Sequence, residues 1–438
     1  MSINTARSRT AIVFAAAFGL SVGAHAFAAE TAGQSQSCPA SGAAPGIGHV
    51  PRFTDGNVAL FTGGNYTVDG AAAEAEGLLV VQGKATFAKD NGGIFNVGRV
   101  GAGSGIIPAP GDVMLAVGGD LAIAKGTTVD VGSGLTAGPR YGGSVQVGGV
   151  IDEKGVLQTN GGGRAARLGA ADALGTYSGF RQAVESESAS LGSLKPTGSS
   201  VRAGGTVTFT STAAGGLQVF EISAGDLDGA SSFVFRAIPA GSSLVVNVTG
   251  THDVKISPMS VGFNDDRVDL YSSTHFGDAA TRILYNFRDS ASIALGGGGN
   301  FMGSIVAPKA SGDFTASTNG RVYVGGNLTV HGTGNETHNY PWTGSPVFTC
   351  KPGQPGQPAA PAPPATPGAP TPSAPSSGPG APAPSAPASP GAPDAPAQPG
   401  GPLAQTGGSS MTPVVAAAAV VLAGGAVMLV FAWRRRRS

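Results

Sequence analysis

"GRVYVGGNLTVHG", from Gly320 to Gly332, carries the clearest structural signal in the chain. Apolar and polar residues alternate on both sides of a Gly-Gly pair, the pattern of two short strands joined by a tight turn. Close variants are "GLLVVQGKATFAK" (Gly77 to Lys89), "VMLAVGGDLAIAK" (Val113 to Lys125) and "GSVQVGGVI" (Gly143 to Ile151). Repeated units of this kind favour stacked coils, so the sequence predicts a mainly β fold, a β-solenoid.

A glycine-poor stretch from Arg164 to Leu194 breaks this pattern. Its apolar residues recur at helical spacing and are Leu168, Ala171, Leu174, Phe180, Val184 and Leu191. This periodicity predicts a helix, interrupted near Gly175, that packs along the side of the solenoid. Strands are predicted to resume with "TVTFTST" (Thr206 to Thr212), "LQVFEIS" (Leu217 to Ser223) and "SLVVNVTG" (Ser243 to Gly250).

The composition excludes some classes of partner. Only 12% of the 438 residues are charged, and the formal net charge at pH 7 is zero. A nucleic-acid-binding protein usually carries a basic excess, so we expect no nucleic acid as partner.

The N-terminal residues have the pattern of a secretory signal peptide. Arg7 and Arg9 precede an apolar stretch from Ala11 to Val22, and Ala24 and Ala26 form an A-x-A cleavage pattern. We therefore expect residues 1–26 to be a signal peptide and the mature chain to be exported.

The chain contains two cysteines, Cys38 and Cys350. They bracket the strand-rich region, which we interpret as one folded domain over residues 38–350. Because an even number of cysteines in an exported chain favours pairing, we expect a Cys38–Cys350 disulfide that joins the two ends of this domain.

Residues 351–402 form a linker with 19 of the 32 prolines of the chain, mixed with Ala, Gly, Ser and Thr. Such a composition cannot bury a core, and it predicts a disordered, extended stalk. The alternative is a spacer without a length requirement.

The C-terminal region, residues 403–438, predicts a membrane segment. Val414 to Trp433 has no charged residue and is long enough, as a helix, to cross a bilayer. Arg434, Arg435, Arg436 and Arg437 follow it and favour a cytoplasmic C-terminus that stops transfer through the membrane.

The motif "LAQTG" precedes the apolar segment and consists of Leu403, Ala404, Gln405, Thr406 and Gly407. Motif, apolar helix and basic tail together resemble the sorting signal of Gram-positive surface proteins, in the L-A-x-T-G form of actinobacteria. This resemblance implies cleavage between Thr406 and Gly407 by sortase, with the new Thr406 carboxyl joined covalently to peptidoglycan. The partners would be sortase, peptidoglycan and, transiently before sorting, the membrane.

The order of the strand segments resembles the choice-of-anchor A family. The matching segments include "MLAVGGDLAI", "LQVFEISAGDL", "IPAGSSLVVNVTG", "ILYNFRDSASIAL", "GNFMGSIVAPKA" and "HNYPWTG". The resemblance extends roughly from Phe53 to Gly344. It implies an exported adhesive domain with an ice-binding-like β-solenoid and a helix along its side, and it brings no catalytic residues.

Motifs for catalysis or metal binding are absent from the sequence. No serine lies in G-x-S-x-G, and neither H-E-x-x-H nor paired C-x-x-C occurs. We therefore predict no enzyme activity, no catalytic residues, no cofactor and no metal.

Three segments carry residues that could still bind a ligand. His331, Glu336 and His338 could meet in a loop, although a polar turn is the favoured interpretation. Asp265, Asp266 and Asp269 could hold calcium, against a solvated turn paired with Arg267.

"TVTFTST" places Thr206, Thr208, Thr210 and Thr212 on one face of a strand. Ice-binding solenoids use threonine arrays, but one strand is not an array, and threonine is common in strands.

These observations favour a secreted, wall-attached surface protein with a non-enzymatic adhesive or structural head and an unknown extracellular ligand. One alternative is a wall-attached enzyme that acts on polysaccharide, which converging acids in a long groove would favour. Another is a coat component that assembles with copies of itself.

Overall fold

The computed structural model describes residues 46–137, 140–161 and 165–350. The strands of these residues are β1 (Phe53–Thr54), β2 (Val58–Thr62), β3 (Tyr66–Val68), β4 (Glu74–Glu76), β5 (Leu78–Val81), β6 (Ala85–Phe87), β7 (Gly93–Gly98), β8 (Ile106–Ile107), β9 (Val113–Val117), β10 (Leu121–Ile123), β11 (Thr127–Val131), β12 (Thr136–Ala137), β13 (Arg140–Tyr141), β14 (Ser144–Val147), β15 (Ile151–Glu153), β16 (Val156–Gln158), β17 (Ala165–Arg167), β18 (Gly198–Ala203), β19 (Thr206–Ser211), β20 (Gln218–Ser223), β21 (Ser232–Arg236), β22 (Leu244–Thr249), β23 (Val254–Ile256), β24 (Ser260–Phe263), β25 (Asp266–Arg267), β26 (Ile283–Phe287), β27 (Ser292–Leu295), β28 (Asn300–Met302), β29 (Ser304–Ala307), β30 (Ser311–Phe314), β31 (Ser317–Asn319), β32 (Val322–Val324), β33 (Leu328–Val330) and β34 (Glu336–His338). The helices are α1 (Ala170–Leu174), α2 (Phe180–Gly192), α3 (Ala224–Leu227) and α4 (Phe276–Arg282), with a 3₁₀ turn at Gly175–Tyr177.

Three parallel sheets form the walls of a β-solenoid, as the sequence predicts. The ten-stranded sheet has the order β17-β14-β9-β5-β2-β32-β29-β26-β22-β20, the eight-stranded sheet β15-β10-β6-β3-β33-β30-β27-β23, and the seven-stranded sheet β16-β11-β7-β4-β34-β31-β28. A typical coil gives one strand to each sheet, as β5, β6 and β7 do. The second half of the chain also forms a five-stranded sheet, of β18, β19, β21, β24 and β25.

The chain enters the solenoid in its middle and not at an end. From β2 the coils proceed through β5, β9 and β14 to β17 at one edge of the ten-stranded sheet. After α2 the chain resumes at β20, on the opposite edge, and returns through β22, β26 and β29 to β32, which pairs with β2. We call the boundary where β2, β3 and β4 pair with β32, β33 and β34 the seam.

The predicted helix exists, but it begins later than its sequence pattern indicates. Ala165–Arg167 pairs as a strand with β14, and the helical segment begins at Ala170. The predicted interruption near Gly175 is confirmed by the 3₁₀ turn there. Ala171 is exposed, and Ala173 takes the buried position of α1.

α2 packs against the outer surface of the ten-stranded sheet. Val184 and Leu191 are buried there in a second apolar core, with Phe61 and Val306 among the sheet residues that they join. Strands beneath α2, such as β26 and β29, are therefore covered on both faces, and they are buried along their whole length.

A buried polar network fixes where α2 lies along the sheet. The Asn286 amide Nδ2 donates to Ser188 O and to Asn247 Oδ1, each at 2.9 Å, and Ser188 Oγ donates to Asn286 Oδ1 at 2.6 Å. Asn247 Nδ2 donates in turn to Leu191 O at 2.8 Å. Because buried polar groups must find partners, these bonds favour one register of the helix over others.

The first glycine of each V-G-G repeat allows neighbouring coils to approach closely. A Cβ atom on Gly325 would lie 1.7 Å from Pro308 O, and one on Gly148 would lie 2.0 Å from Gly118 O. Any side chain at these positions would therefore push the next coil away, which gives the repeat its physical reason.

Several predicted segments lie outside the described residues. They are the signal peptide (1–26), Cys38, the linker (351–402), LAQTG (403–407), the apolar segment (414–433) and the four terminal arginines. Within the part of the chain that the structure describes, no helix is long and apolar enough to cross a membrane.

Candidate functional site

The eight-stranded sheet turns one face towards solvent. In β3, β6, β10 and β33 the central residue is partly exposed and its two neighbours are buried. Pairing in register aligns one outward residue per strand in a row that we call the outer row: Asp152, Ala122, Thr86, Thr67, Thr329, Asp313, Ala294 and Lys255. With strands about 4.8 Å apart, the row is about 34 Å long.

Three adjacent threonines lie at the centre of the outer row. Thr67 pairs with Thr86 on one side and, across the seam, with Thr329 on the other. Ala122 and Asp313 end this threonine run. The side chains are short, so the surface is flat and presents hydroxyl groups at regular intervals.

Side-chain acceptors support the edge of this face. Asn327 Oδ1 accepts from the Asn65 backbone N–H at 2.8 Å, and Asn65 Oδ1 accepts from the Lys84 N–H at 2.9 Å. Ser311 Oγ likewise accepts from the Asn327 N–H at 3.2 Å. This ladder continues across the seam and holds the turns of adjacent coils in line.

The threonine-rich strand β19 belongs to a different sheet from the outer row. Thr206, Thr208 and Thr210 of β19 are partly exposed and alternate with buried Val207 and Phe209, as predicted. They belong to the five-stranded sheet and do not extend the outer row. Thr212 follows the strand and is exposed.

A buried cluster of acids and one histidine lies on the outer side of the seven-stranded sheet. Glu74, Glu76, Glu336 and His338 are at most 5% exposed. His338 Nε2 lies 3.9 Å from Glu74 Oε1 and 3.4 Å from Glu336 Oε2. No described residue forms a hydrogen bond with this nitrogen.

Glu76 is held by hydrogen bonds from Ser104, Gly105 and Asn339. Its carboxylate accepts from Ser104 N and Oγ, from Gly105 N and from Asn339 N, at 2.8–3.0 Å. Burial raises the pKa of Glu76, and the nearby His338 and these donors oppose that rise.

The surroundings of His338 favour a positive charge. Burial by itself would lower its pKa, but Glu336, Glu74 and Glu76 outweigh burial and raise the pKa of His338 to about 10. Two further contacts enclose the cluster: Gly101 N donates to Glu74 Oε2 at 3.0 Å, and the Tyr271 hydroxyl donates to Glu336 Oε2 at 3.4 Å. The converging acids thus lie beneath loops and not in an open groove.

The predicted group of His331, Glu336 and His338 is divided by the structure. Glu336 and His338 belong to β34 and are buried, so the favoured interpretation as a polar turn is wrong for them. His331 lies beyond β33, where its Nε2 is 2.8 Å from Asp313 Oδ1. A strand places alternate residues on one face, which brings Glu336 and His338 together, whereas His331 follows a strand of another sheet.

Two of the three predicted calcium candidates, Asp266 and Asp269, lie close to basic side chains. Asp269 is buried, accepts from Val261 N at 2.8 Å and pairs with Arg267 at 3.1 Å. Asp266 Oδ2 lies 3.6 Å from His275 Nε2. These contacts agree with the interpretation of a turn paired with Arg267.

Sequence analysis missed a second buried polar site at the seam. Arg321 and Asp55 are fully buried and form an ion pair, although 266 residues separate them. Arg321 Nε also donates to Asn339 Oδ1 at 3.0 Å, and its Nη1 donates to Phe348 O at 3.0 Å. For the cluster around His338, by contrast, a signal was present in "EAE" at Glu74–Glu76, where charged residues interrupt an otherwise apolar strand region.

Comparisons with known proteins give one family. The family model described as "Putative Ice-binding-like adhesive domain" matches residues 57–339. No curated protein matches.

Two solved structures are similar to the chain at low identity. An ice-binding protein from an Antarctic biological consortium is 15% identical, with 64% of this chain and 86% of that chain covered and a TM-score of 0.24. An ice-binding protein from the Antarctic ascomycete Antarctomyces psychrotrophicus is 13% identical, with 64% and 93% covered and a TM-score of 0.22.

Proposed function

This chain belongs to the ice-binding-like adhesive domain family, and we propose that it is a non-enzymatic surface adhesin that binds through the outer row of the eight-stranded sheet. The observation that carries this proposal is the outward face of that sheet, which remains partly exposed among the described residues and continues across the seam. α2 covers the ten-stranded sheet, and the loop around Gly101 and Ser104 covers part of the seven-stranded sheet.

The chemistry of the outer row suits a flat or extended partner. Its central threonines offer hydroxyl groups in a regular line, and Asp313 and Lys255 add charges of both signs. Small molecules usually bind in concave pockets, so a flat row of this kind fits a polysaccharide chain or a protein surface better.

The sequence outside the described residues supplies a means of display. We infer that the signal peptide exports the chain and that sortase joins Thr406 to peptidoglycan. The stalk of residues 351–402, at about 3.1 Å per residue, could then carry the head up to about 160 Å from the wall.

Mass spectrometry of wall fragments tests the display. After muramidase digestion of the producing bacterium, we expect a C-terminal peptide that ends at Thr406 and carries cross-bridge residues of peptidoglycan. A chain recovered intact through Trp433 from the membrane fraction would overturn sortase anchoring, and the head would then have to act close to the bilayer.

Whole-cell binding tests the adhesion. Cells that display the chain should be retained on a glycan or matrix-protein array at least several-fold better than a deletion strain. Equal retention of both strains on every surface, with the head present on the cell, would contradict the proposal.

The same experiment distinguishes the two alternatives. A polysaccharide hydrolase needs accessible carboxylates, whereas Glu74, Glu76 and Glu336 are at most 5% exposed. Self-assembly by strand addition would use sheet edges, and the edge strand β15 carries Asp152 and Glu153, whose charges discourage it. Depolymerised glycan on the array would indicate the enzyme, and cell clumping without array binding would indicate the coat.

A further inference from the structure

The cluster of Glu74, Glu336 and His338 has the geometry of a metal site. One oxygen from each carboxylate and the His338 nitrogen lie within 4.8 Å of one another, and all three residues are buried. Glu74 belongs to β4, in the first coil, and the other two belong to β34, in the last coil. The three groups therefore meet only when the seam is closed.

The hydrogen bonds of Asn319 determine which nitrogen of His338 carries a proton. Asn319 Nδ2 donates to Asn300 Oδ1 at 3.2 Å and to Phe301 O at 3.4 Å, so its Oδ1 is the acceptor. His338 Nδ1 lies 2.9 Å from that oxygen and must be the donor. The neutral imidazole then has its lone pair on Nε2, the arrangement in which a carbonyl oxygen behind the ring orients a metal-binding histidine.

His338 Nε2 has no hydrogen-bond partner among the described residues, although the side chain is fully buried. It points between Glu336 Oε2 at 3.4 Å and Glu74 Oε1 at 3.9 Å. Without an ion, the positive charge that these carboxylates favour on His338 faces them without a hydrogen bond, and such unpaired buried groups cost free energy. A divalent cation between these atoms displaces the Nε2 proton, binds the freed lone pair and compensates the carboxylate charges.

The donor set selects the kind of cation. Two ligands about 2.1 Å from one tetrahedral ion lie about 3.4 Å apart, close to the separations at His338. One imidazole nitrogen with two carboxylates suits zinc and related first-row metals, whereas calcium takes six to eight oxygen ligands.

We propose that Glu74, Glu336 and His338 bind one divalent transition-metal ion of the zinc class, which holds the first coil of the solenoid to the last. The ion acts as a structural clamp and takes no part in adhesion. Because its ligands come from the two ends of a long loop, binding contributes directly to the stability of the folded head.

The test measures metal in the purified full-length chain. After treatment with a chelator, reloading with Zn²⁺ and gel filtration, the wild-type chain should hold about one zinc per molecule, and its thermal midpoint should rise relative to the chelated form. Reloading with Co²⁺ should produce visible absorption bands.

The variant His338→Gln should weaken metal binding at least about tenfold, since removal of a ligand costs more than removal of an outer partner. His331→Gln is the matched control, because His331 also lies between two carboxylates, Asp69 and Asp313, but is partly exposed. The control should keep its zinc.

A second variant keeps the proposal testable if His338→Gln does not fold. Glu336→Gln keeps the shape of the side chain, and circular dichroism shows whether the chain is folded. Folded Glu336→Gln without zinc supports the proposal. A folded wild-type chain that takes up neither Zn²⁺ nor Co²⁺, or a Glu336→Gln variant that binds zinc as tightly as the wild type, would overturn it.

Discussion

Different kinds of contact hold together the coils inside each half of the chain and the seam between the two halves. Inside a half, contacts join residues close in sequence, such as Asn65 and Lys84, 19 residues apart, and the interior is a ladder of apolar side chains such as Leu79 and Leu115. At the seam, partners such as Asp55 and Arg321 are 266 residues apart and carry buried charges.

The difference shows that apolar side chains stack coils on one another, whereas polar side chains determine which coils meet at the seam. Apolar coils with a shared V-G-G turn can stack on any similar coil, so they do not specify where the stack ends. Arg321 finds its partners only when Asp55, Asn339 and Phe348 are all in place. We infer that the polar seam selects which coils meet, as buried polar groups fix register in other systems.

Removal of Arg321 should have the largest effect on stability. Arg321→Met leaves the Asp55 carboxylate buried without its cation, and removal of one partner of a buried pair costs about 3–5 kcal/mol. Urea unfolding measures the change. The matched control is Arg288→Met, since Arg288 pairs with Asp289 near the surface and should lose less than about 1 kcal/mol. Equal losses in both variants would contradict a special role of the seam.

A cavity inside the coils should have the next largest effect. Leu115→Ala removes a fully buried side chain between β5 and β14, and we expect a loss of about 3 kcal/mol in the free energy of unfolding. Leu270→Ala serves as control, because Leu270 is 44% exposed and should change stability by less than about 0.5 kcal/mol. A loss below that level for Leu115→Ala would mean that the coils repack freely.

A methyl group in the V-G-G turn should have a smaller effect. Gly325→Ala places a Cβ atom against Pro308 O, and this overpacking should lower the free energy of unfolding by about 1–3 kcal/mol. In Gly298→Ala no atom lies within 4 Å of the new Cβ, so this control should unfold like the wild type. Identical thermal midpoints for the two variants would show that the turn glycines are not required for stacking.

The same contrast explains what could be predicted from the sequence. Strands β32 and β33 follow from local alternation around Gly325 and Gly326, and α2 follows from apolar spacing, because in both cases the pattern and the structure involve neighbouring residues. The strand at Ala165–Arg167 was predicted as helix, since its pairing with β14 overrides the local spacing. Pairing with a distant strand is not visible in a short window.

The candidate site was harder to predict for the same reason. The outer row exists only after eight strands align, and three of its threonines come from separate repeats. Glu74 and His338 meet through pairing of β4 with β34, so no spacing rule within one segment could have joined them. His331 was grouped with His338 because it is near in sequence, although it follows a strand of another sheet.

Adhesion by variants of the outer row tests the central claim most directly. Thr67→Tyr with Thr329→Tyr places two bulky side chains at the centre of the row, where strands tolerate aromatic residues. Thr206→Tyr with Thr208→Tyr makes the matched change on the five-stranded sheet. With all heads displayed equally on cells, we expect the first pair to abolish retention on the bound surface and the second to leave it unchanged. Unchanged retention by the first pair, or loss confined to the second, would contradict the assignment of the eight-stranded sheet as the adhesive surface.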